Sequence, residues 1–153
     1  MHIKTDIIIQ ADRSLIWRAW TESDRITEWF APEAVIEPEP GGKFELYFNP
    51  SDKSSMNTKG CKILSILEEE KLMFEWKGPD PFAGLMNNDD DLTYVTVNLE
   101  DNQESVRISL LHDGWGESGE WDQAKQWHTA AWDQMLSSLK QNIESGKGIL
   151  CCQ

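Results

Sequence analysis

The sequence has little cysteine, and its cysteines are poorly spaced for disulfides. One lies in mid-chain, at Cys61, and the other two are adjacent, at Cys151 and Cys152. A small secreted domain held by disulfides needs a framework of paired cysteines, which this spacing does not offer. No charged segment, apolar run and small-residue cleavage site opens the chain. We therefore expect a cytoplasmic protein, with Cys61 as a small buried side chain.

Long apolar runs and clusters of positive charge are also missing. No stretch approaches the roughly 18 consecutive apolar residues that indicate a membrane-spanning helix. The chain has 14 basic and 27 acidic residues, for a formal net charge of −13, and the basic residues are scattered. Nucleic acids and anionic membranes bind basic patches, so we expect neither as a partner.

Motifs for metal binding and for nucleophilic catalysis are missing too. The histidines, at positions 2, 112 and 128, and the dispersed cysteines have no spacing that is typical of a metal site. The chain contains no Gly-x-Ser-x-Gly nucleophile elbow and no glycine-rich phosphate loop. We therefore predict no metal, no cofactor and no catalytic residues, and we expect that the protein is not an enzyme.

What the chain has in abundance is tryptophan, with eight in 153 residues. This length is typical of one domain with a substantial core. Each tryptophan can bury a large apolar area, and a buried indole N–H normally finds an acceptor. We predict a single domain over residues 1–146 and a short flexible tail at 147–153, because Gly146 and Gly148 end the last helical pattern.

Hydrophobic periodicity predicts strands through most of the chain and one long helix at its end. Ile3 to Gln10 is the first predicted strand, and two short helices follow, with Asp12 as an N-cap and a capping box at Thr21 and Asp24. The segment from Gly78 to Asp91 is rich in proline and glycine and is predicted as a mobile loop. The remaining predicted strands are Val35 to Glu39, Phe44 to Phe48, Thr58 to Leu67, Leu72 to Trp76, Leu92 to Glu100 and Ser105 to His112.

The predicted long helix runs from Gly119 to Ser145. Its large apolar residues and one histidine fall within an arc of about 140°, and Trp127 flanks that arc. These residues are Trp121, Ala124, His128, Ala131, Trp132, Met135, Leu136, Leu139 and Ile143. Because runs of strands followed by a helix indicate an α+β domain with an antiparallel sheet, the helix should bury this face against the sheet.

Several segments, in this order, resemble one protein family. They are Ala11 to Trp20, Ile26 to Phe30, Gly41-Gly42-Lys43-Phe44, Gly60, Leu72 to Trp76, Leu110 to Trp115 and Trp132 to Leu139. Together they resemble the proteins similar to the C-terminal domain of the activator of the ninety-kilodalton heat-shock chaperone's ATPase. That family belongs to the START-like, or SRPBCC, superfamily.

The resemblance implies a helix-grip (Bet v 1-like) fold. In this α+β fold, a curved antiparallel sheet of about seven strands, with two short helices, grips one long C-terminal helix over an apolar cavity. Relatives of the superfamily bind lipids, hormones or polyketides, and a minority catalyse cyclisation or hydrolysis. The eukaryotic activators carry a separate N-terminal chaperone-binding domain that this sequence does not contain.

Aromatic bulk on the inward faces predicts which residues would line such a cavity. The predicted ligand-binding residues are Phe44, Phe48, Phe74, Trp76, Trp115, Trp127 and His128. A space walled by aromatic side chains with few polar groups is typical of a small-molecule site. The same residues could instead fill a solid core, and periodicity cannot separate these alternatives because both place the same faces inward.

Polar candidates are few. His128 could orient a ligand or act as a general base, or it could be a core histidine whose ring nitrogens meet buried polar groups. His112 and Asp113 are interpreted as part of a hydrogen-bonded turn. Glu45 and Glu75 alternate onto the polar face of the sheet, which argues against pocket carboxylates.

The sequence thus favours a non-enzymatic protein that binds a small hydrophobic or aromatic ligand between sheet and helix. A chaperone-associated interaction module and, less favoured, a cyclase-like or hydrolase-like enzyme that uses His128 are the alternatives.

Overall fold

The computed structural model describes residues 2–145. The predicted tail at 147–153, with Cys151 and Cys152, therefore lies outside the described residues. The elements, in chain order, are β1 (Ile3–Ile9), α1 (Arg13–Thr21), α2 (Ser23–Ile26), β2 (Glu33–Ile36), β3 (Phe44–Tyr47), β4 (Ile63–Leu67), β5 (Lys71–Trp76), a 3-10 turn (Asp80–Phe82), α3 (Ala83–Met86), β6 (Thr93–Asn102), β7 (Ser105–Asp113) and α4 (Gly119–Ser145).

The seven described strands pair into two antiparallel sheets. Five strands form a sheet in the order β1-β7-β6-β5-β4, and β2 pairs with β3 in a separate two-stranded sheet. The expectation of a single sheet of about seven strands is corrected accordingly, while the α+β class is confirmed. The two sheets are joined by a few backbone bonds, among them Phe44 N to Cys61 O at 2.9 Å and Gly41 N to Ile63 O at 2.8 Å.

The strands of the larger sheet alternate as the sequence predicts. Every second residue of β5 is buried, and the same alternation continues along most of β6 and β7. This burial gives the sheet one apolar face. The facing residues along the three strands are Leu72, Phe74, Trp76, Val95, Val97, Leu99, Val106, Ile108 and Leu110.

The short helices differ from the prediction in one detail. Asp12 occupies the predicted N-cap position of α1, although its side chain makes no capping bond. Thr21 does not form a capping box: its buried hydroxyl donates to Trp17 O at 2.9 Å, and α2 begins only at Ser23. Thr21 is the last residue of α1, and its hydroxyl bonds back to the carbonyl one turn earlier in the same helix.

The long helix α4 has the predicted bounds, Gly119–Ser145. Its buried stripe includes His128, Trp132 and Leu139, as predicted, whereas Trp121, Ala131 and Ile143 lie half-buried at its margins. Ser138 also lies in this stripe, and its hydroxyl donates to Trp29 O at 2.7 Å. The helix packs on the apolar face of the sheet, where Trp132 meets Trp76 with ring centroids 4.9 Å apart.

The segment between β5 and β6 contains more regular structure than the predicted loop. It forms the 3-10 turn and α3, and Met86 at the end of α3 is fully buried. Pro81 lies in the first turn of the 3-10 helix, where the missing N–H of proline costs nothing. Pro81, which in the sequence indicates a break in regular structure, therefore lies at the start of a helix in the structure.

Candidate functional site

A narrow cleft lies between α4, the end of β5 and the connection from β3 to β4. It is a partly enclosed, largely apolar opening. Its lining residues are Phe30, Phe48, Met56, Asn57, Trp76, Lys77, Gly78, Pro79, Trp127, His128, Ala131, Trp132 and Met135. Aromatic rings and methionines thus make up most of the wall, and no carboxylate is among these residues.

The free space inside this cleft is small. Its cavity volume is about 30 Å³. One water needs roughly 10–15 Å³ by this kind of measure, whereas sites for drug-sized ligands measure roughly 300–1,000 Å³. The walls therefore nearly touch, and a ligand larger than a few atoms can enter only if they move apart.

Four of the seven predicted ligand-binding residues line the cleft. These are Phe48, Trp76, Trp127 and His128. Trp127 lies at the mouth with 38% of its surface exposed, whereas Trp76 and His128 are buried in the wall.

The other three predicted residues lie outside the cleft. Phe44 and Phe74 are fully buried and stack on each other with ring centroids 3.8 Å apart, so they fill the core between β3 and β5. Trp115 packs against the ring of His112 at 4.4 Å and donates its indole N–H to His112 O at 2.9 Å. The filled-core alternative thus describes Phe44 and Phe74, whereas Trp115 is half-buried beside the core.

Several lining residues were not predicted. Trp132 and Met135 belong to the predicted apolar arc of α4, so periodicity placed them inward without distinguishing wall from core. Phe30, Met56 and Pro79 lie outside regular elements, in segments where no periodicity indicates which way a side chain points. Only the tertiary arrangement brings these segments to the same cleft.

The wall contains an indole–imidazole pair. Trp76 Nε1 donates to His128 Nε2 at 3.2 Å, and His128 Nδ1 lies 2.8 Å from Ala124 O, one turn earlier on α4. A carbonyl oxygen can only accept, so Nδ1 carries the proton and Nε2 is the acceptor. His128 is thus a buried, neutral histidine with both ring nitrogens engaged.

A second indole–imidazole pair lies deeper in the core. Trp132 Nε1 donates to His112 Nδ1 at 3.0 Å, and His112 Nε2 lies 2.9 Å from Thr93 Oγ1. The interpretation of His112 as part of a turn is wrong for its side chain, which is fully buried on β7. The rings of His112 and His128 are 5.4 Å apart in an edge-to-face arrangement.

Burial keeps both histidines neutral. Desolvation lowers the pKa of His128 from 6.5 to about 4, although its bond to Ala124 O partly opposes this shift. Burial, and secondarily the neighbouring His128, lowers the pKa of His112 well below 6.5. Near neutral pH, both rings are therefore neutral imidazoles, each with one N–H donor and one acceptor nitrogen, and both have little basicity.

Glu45 and Glu75, which strand alternation argued against as pocket carboxylates, lie outside the cleft. Glu45 is buried, contrary to its predicted position on a polar face: it accepts from Tyr47 Oη at 2.8 Å and from Gly60 N at 3.0 Å. The segment before β4 folds back over it, which alternation along a single strand cannot indicate. Burial and the Glu45 contact raise the pKa of Tyr47 to about 12. Glu75 accepts from Lys62 N at 2.9 Å.

Two loops, the connection from β3 to β4 and the segment that follows β5, contact each other at one side of the mouth of the cleft. Met56 N donates to Asp80 Oδ1 at 3.2 Å, and Asp80 N approaches Met56 Sδ at 3.3 Å. Asn87 holds the base of the second loop, because its side-chain amide accepts from Gly78 N at 2.7 Å and donates to Gly78 O at 3.1 Å. We call residues 78–87 the flap.

Three further features of residues 2–145 bear on what the chain can bind. No group of three or more histidine, cysteine, aspartate or glutamate side chains in this part of the chain could hold a metal ion. None of its helices is long and apolar enough to cross a membrane. Cys61 is buried, as predicted, and burial raises the pKa of its thiol to about 12.

Solved structures share this architecture. The Aha1 dimer from Colwellia psychrerythraea matches with a TM-score of 0.73 and 21% identity over 97% of this chain and 99% of that one. Protein SSP2350 from Staphylococcus saprophyticus matches with a TM-score of 0.75 and 17% identity, over 97% and 96%. DynU16, from the dynemicin biosynthetic locus, matches with a TM-score of 0.71 and 16% identity over 95% of this chain, which spans only 48% of DynU16.

At these identities the structural matches establish the fold alone, and no curated protein matches the chain. The family comparison reaches further, because the family described as "Activator of Hsp90 ATPase homolog 1-like protein" matches residues 10–144. That match covers most of the chain and includes all the segments on which the resemblance rested. The chain therefore belongs to the activator of Hsp90 ATPase homolog 1-like family, within the START-like helix-grip superfamily.

Proposed function

We propose that this chain binds a small apolar or aromatic ligand, without converting it, in the cleft between the sheet and α4. The observation that carries the proposal is the aromatic lining, in which rings from separate parts of the chain surround one narrow space. These rings are Phe30, Phe48, Trp76, Trp127 and Trp132. Burying an apolar ligand against them would be favourable in proportion to the area removed from water.

The cleft must widen to accept such a ligand, and its walls are suited to that movement. Met56 and Met135 are unbranched side chains that repack at low cost. Trp127 is already partly in solvent, so it can turn outward without unfolding the core. The flap carries Pro79 at the mouth, where hydrogen bonds of Asp80 and Asn87 and the packing of Met86 and Phe82 hold it.

Binding without turnover is proposed because the cleft holds little that could catalyse a reaction. Its lining contains no carboxylate, and its one histidine, His128, has both ring nitrogens engaged. With a pKa lowered to about 4, His128 would be a weak general base near neutral pH.

The test is thermal denaturation and tryptophan fluorescence with neutral aromatic probes such as toluene, indole and naphthalene. A ligand that binds only the folded protein raises the melting temperature with concentration. The informative variant is Trp127→Ala, which should weaken binding at least several-fold and cost little stability because Trp127 is 38% exposed. The matched control is Leu64→Ala on β4, since Leu64 is 45% exposed and does not line the cleft. No response to any probe would contradict the proposal.

Family membership supports one alternative function, an interaction with the ninety-kilodalton heat-shock chaperone. The supporting observation is the match over residues 10–144. The experiment adds the purified chain to that chaperone and measures its ATPase rate and its co-sedimentation. A changed rate would favour this alternative, and no change together with no complex would remove it.

A further inference from the structure

The Trp76–His128 pair restricts the polar group that a ligand of this cleft can carry. We propose that the ligand carries a hydroxyl group, which inserts between the indole N–H of Trp76 and Nε2 of His128. The inference rests on the proposed binding function and adds to it the chemical class of the ligand, a neutral aromatic alcohol or phenol.

The direction of the hydrogen bonds is set by geometry. His128 Nδ1 lies 2.8 Å from Ala124 O, which can only accept, so the imidazole proton is on Nδ1. Nε2 must then be an acceptor, and the indole N–H of Trp76, which can only donate, points at it from 3.2 Å. Trp76 and His128 therefore form one donor–acceptor pair of fixed direction, between β5 and α4.

Ligand entry sets these two groups apart. The cavity volume of about 30 Å³ is too small for an aromatic ring, so the walls must separate. The Trp76–His128 bond, at 3.2 Å, joins β5 to α4, and both elements line the cleft. In addition to the movements of Trp127, the methionines and the flap, the proposal requires a ligand that pushes β5 and α4 apart, which breaks this bond and leaves a buried donor facing a buried acceptor.

Only a group that both donates and accepts can satisfy them together. A hydroxyl oxygen does this at a single atom, accepting from Trp76 and donating to His128, once the two nitrogens are roughly 4.5 Å or more apart. An ether or a ketone accepts from Trp76 but leaves Nε2 of His128 without a donor. A hydrocarbon leaves both groups unpaired, and unpaired buried polar groups are costly.

A charged ligand is not favoured by the same wall. The lining contains one charged side chain, Lys77, whose Nζ donates to Lys59 O at 2.7 Å and lies 3.1 Å from Asp89 Oδ1. A carboxylate ligand would also place its oxygen against the lone pair of His128 Nε2. The chemistry of the cleft therefore points to a neutral hydroxyl rather than to an acid.

The experiment compares phenol, anisole and toluene, which have similar rings and differ in the polar group, by isothermal titration calorimetry at pH 7. A purely apolar cleft would favour toluene, because burying a hydroxyl without a partner is unfavourable. The proposal predicts the reverse order, with phenol binding on the order of tenfold to hundredfold more tightly than anisole and toluene. In NMR spectra of the wild-type protein, added phenol should also shift the resonance of the Trp76 indole N–H.

The matched variants are Trp76→Phe and Trp115→Phe. Each removes one indole N–H, but Trp115 donates to a backbone carbonyl outside the cleft. The preference for phenol over anisole should shrink several-fold in Trp76→Phe and persist in Trp115→Phe. If Trp76→Phe does not fold, the wild-type affinity order and the Trp76 resonance still decide.

The experiment distinguishes failure of the hydroxyl inference from failure of the proposed binding function. Equal affinities for the three probes, or a preference for toluene, would overturn the hydroxyl inference and leave the proposed binding function standing. If none of the three binds, the proposed function and the inference both fall.

Discussion

Two buried histidines receive indole hydrogen bonds, and these bonds explain why polar rings lie inside an apolar core. Burying a polar ring costs free energy unless both of its nitrogens find partners. His128 is satisfied by Trp76 and Ala124, and His112 by Trp132 and Thr93. The tryptophans in these pairs are therefore hydrogen-bond donors as well as apolar bulk.

The lowered histidine pKa values predict a specific acid sensitivity. The pKa of His128 is about 4 in the folded chain, against an ordinary value of 6.5, so between these values the unfolded chain binds more protons. Its contribution to the free energy of unfolding is fully present above pH 6.5 and is lost progressively as the pH falls towards 4. His112, with its pKa lowered in the same direction, extends the loss to lower pH.

Urea unfolding at several pH values measures this effect. Between pH 7 and pH 5, the free energy of unfolding should fall by about 2 kcal/mol less in His128→Phe than in the wild type. The reason is that the variant has no imidazole to protonate at this position. Identical pH dependence in the wild type and His128→Phe would contradict the prediction.

Two buried tryptophans allow the stability contributed by an indole hydrogen bond to be measured apart from the contribution of side-chain volume. Trp132 and Trp20 are both buried, but Trp132 Nε1 donates to His112, whereas Trp20 Nε1 is the one buried side-chain polar atom without a partner among the described residues. Replacement by phenylalanine removes similar volume at both sites. We expect Trp132→Phe to cost about 1–2 kcal/mol more than Trp20→Phe, because it also leaves His112 Nδ1 unpaired. Equal losses in chemical denaturation would show that the bond contributes no net stability.

Among the elements, the flap differs most from what its sequence suggests. Proline and glycine predicted a loop, yet the segment forms two short helical turns and buries Met86. A Cβ at Gly78 would lie 2.5 Å from Met86 Sδ, so a larger residue at the base of the flap would displace the buried Met86 side chain. The flap is thus packed by the buried Met86 and the partly buried Phe82 and Leu85, and anchored by the paired bonds of Asn87 to Gly78.

Removing this anchor should loosen the flap without unfolding the domain. In Asn87→Ala we expect faster hydrogen exchange across residues 78–87 and a change of at most about 1–2 kcal/mol in the global free energy of unfolding, because the two lost bonds are local and only part-buried. Asn88→Ala is the control, since Asn88 only accepts from the nearby Asp90 N. Exchange mass spectrometry would contradict the prediction if the flap peptides were unchanged.

At the scale of the whole molecule, one hydrophobic cluster connects the elements. Residues of both sheets, of α1 and of α4 belong to it, and the rings of Trp20, Phe30 and Trp132 continue it from the short helices to the long one. A chain with a single shared core should unfold as one unit.

Cooperative unfolding would support the predicted single domain. We expect the loss of tryptophan fluorescence, near-ultraviolet circular dichroism and far-ultraviolet circular dichroism to coincide in urea, because the helices and both sheets share the cluster. The unfolding transitions should still coincide in the Asn87→Ala variant, since the flap lies at the edge of the hydrophobic cluster. Separate transitions for different probes would contradict the prediction.

The sequence by itself determined the class of fold and most of its elements. Periods of two along β5, β6 and β7, and of 3.6 along α4, are local properties, so they could be read before any contact was known. The resemblance of ordered segments to a family was confirmed by the match over residues 10–144. The same patterns missed the burial of Glu45 and the division of the strands into two sheets.

Only the tertiary structure decided which inward residues form a wall and which fill a core. Phe74 and Trp76 are two residues apart on the same face of β5, yet Phe74 stacks on Phe44 while Trp76 borders the cleft. Alternation gives both the same direction, and what each side chain meets depends on segments distant in sequence. For the same reason, His112 and His128 could be counted in the sequence, but their tryptophan partners appear only once β5, β7 and α4 are packed together.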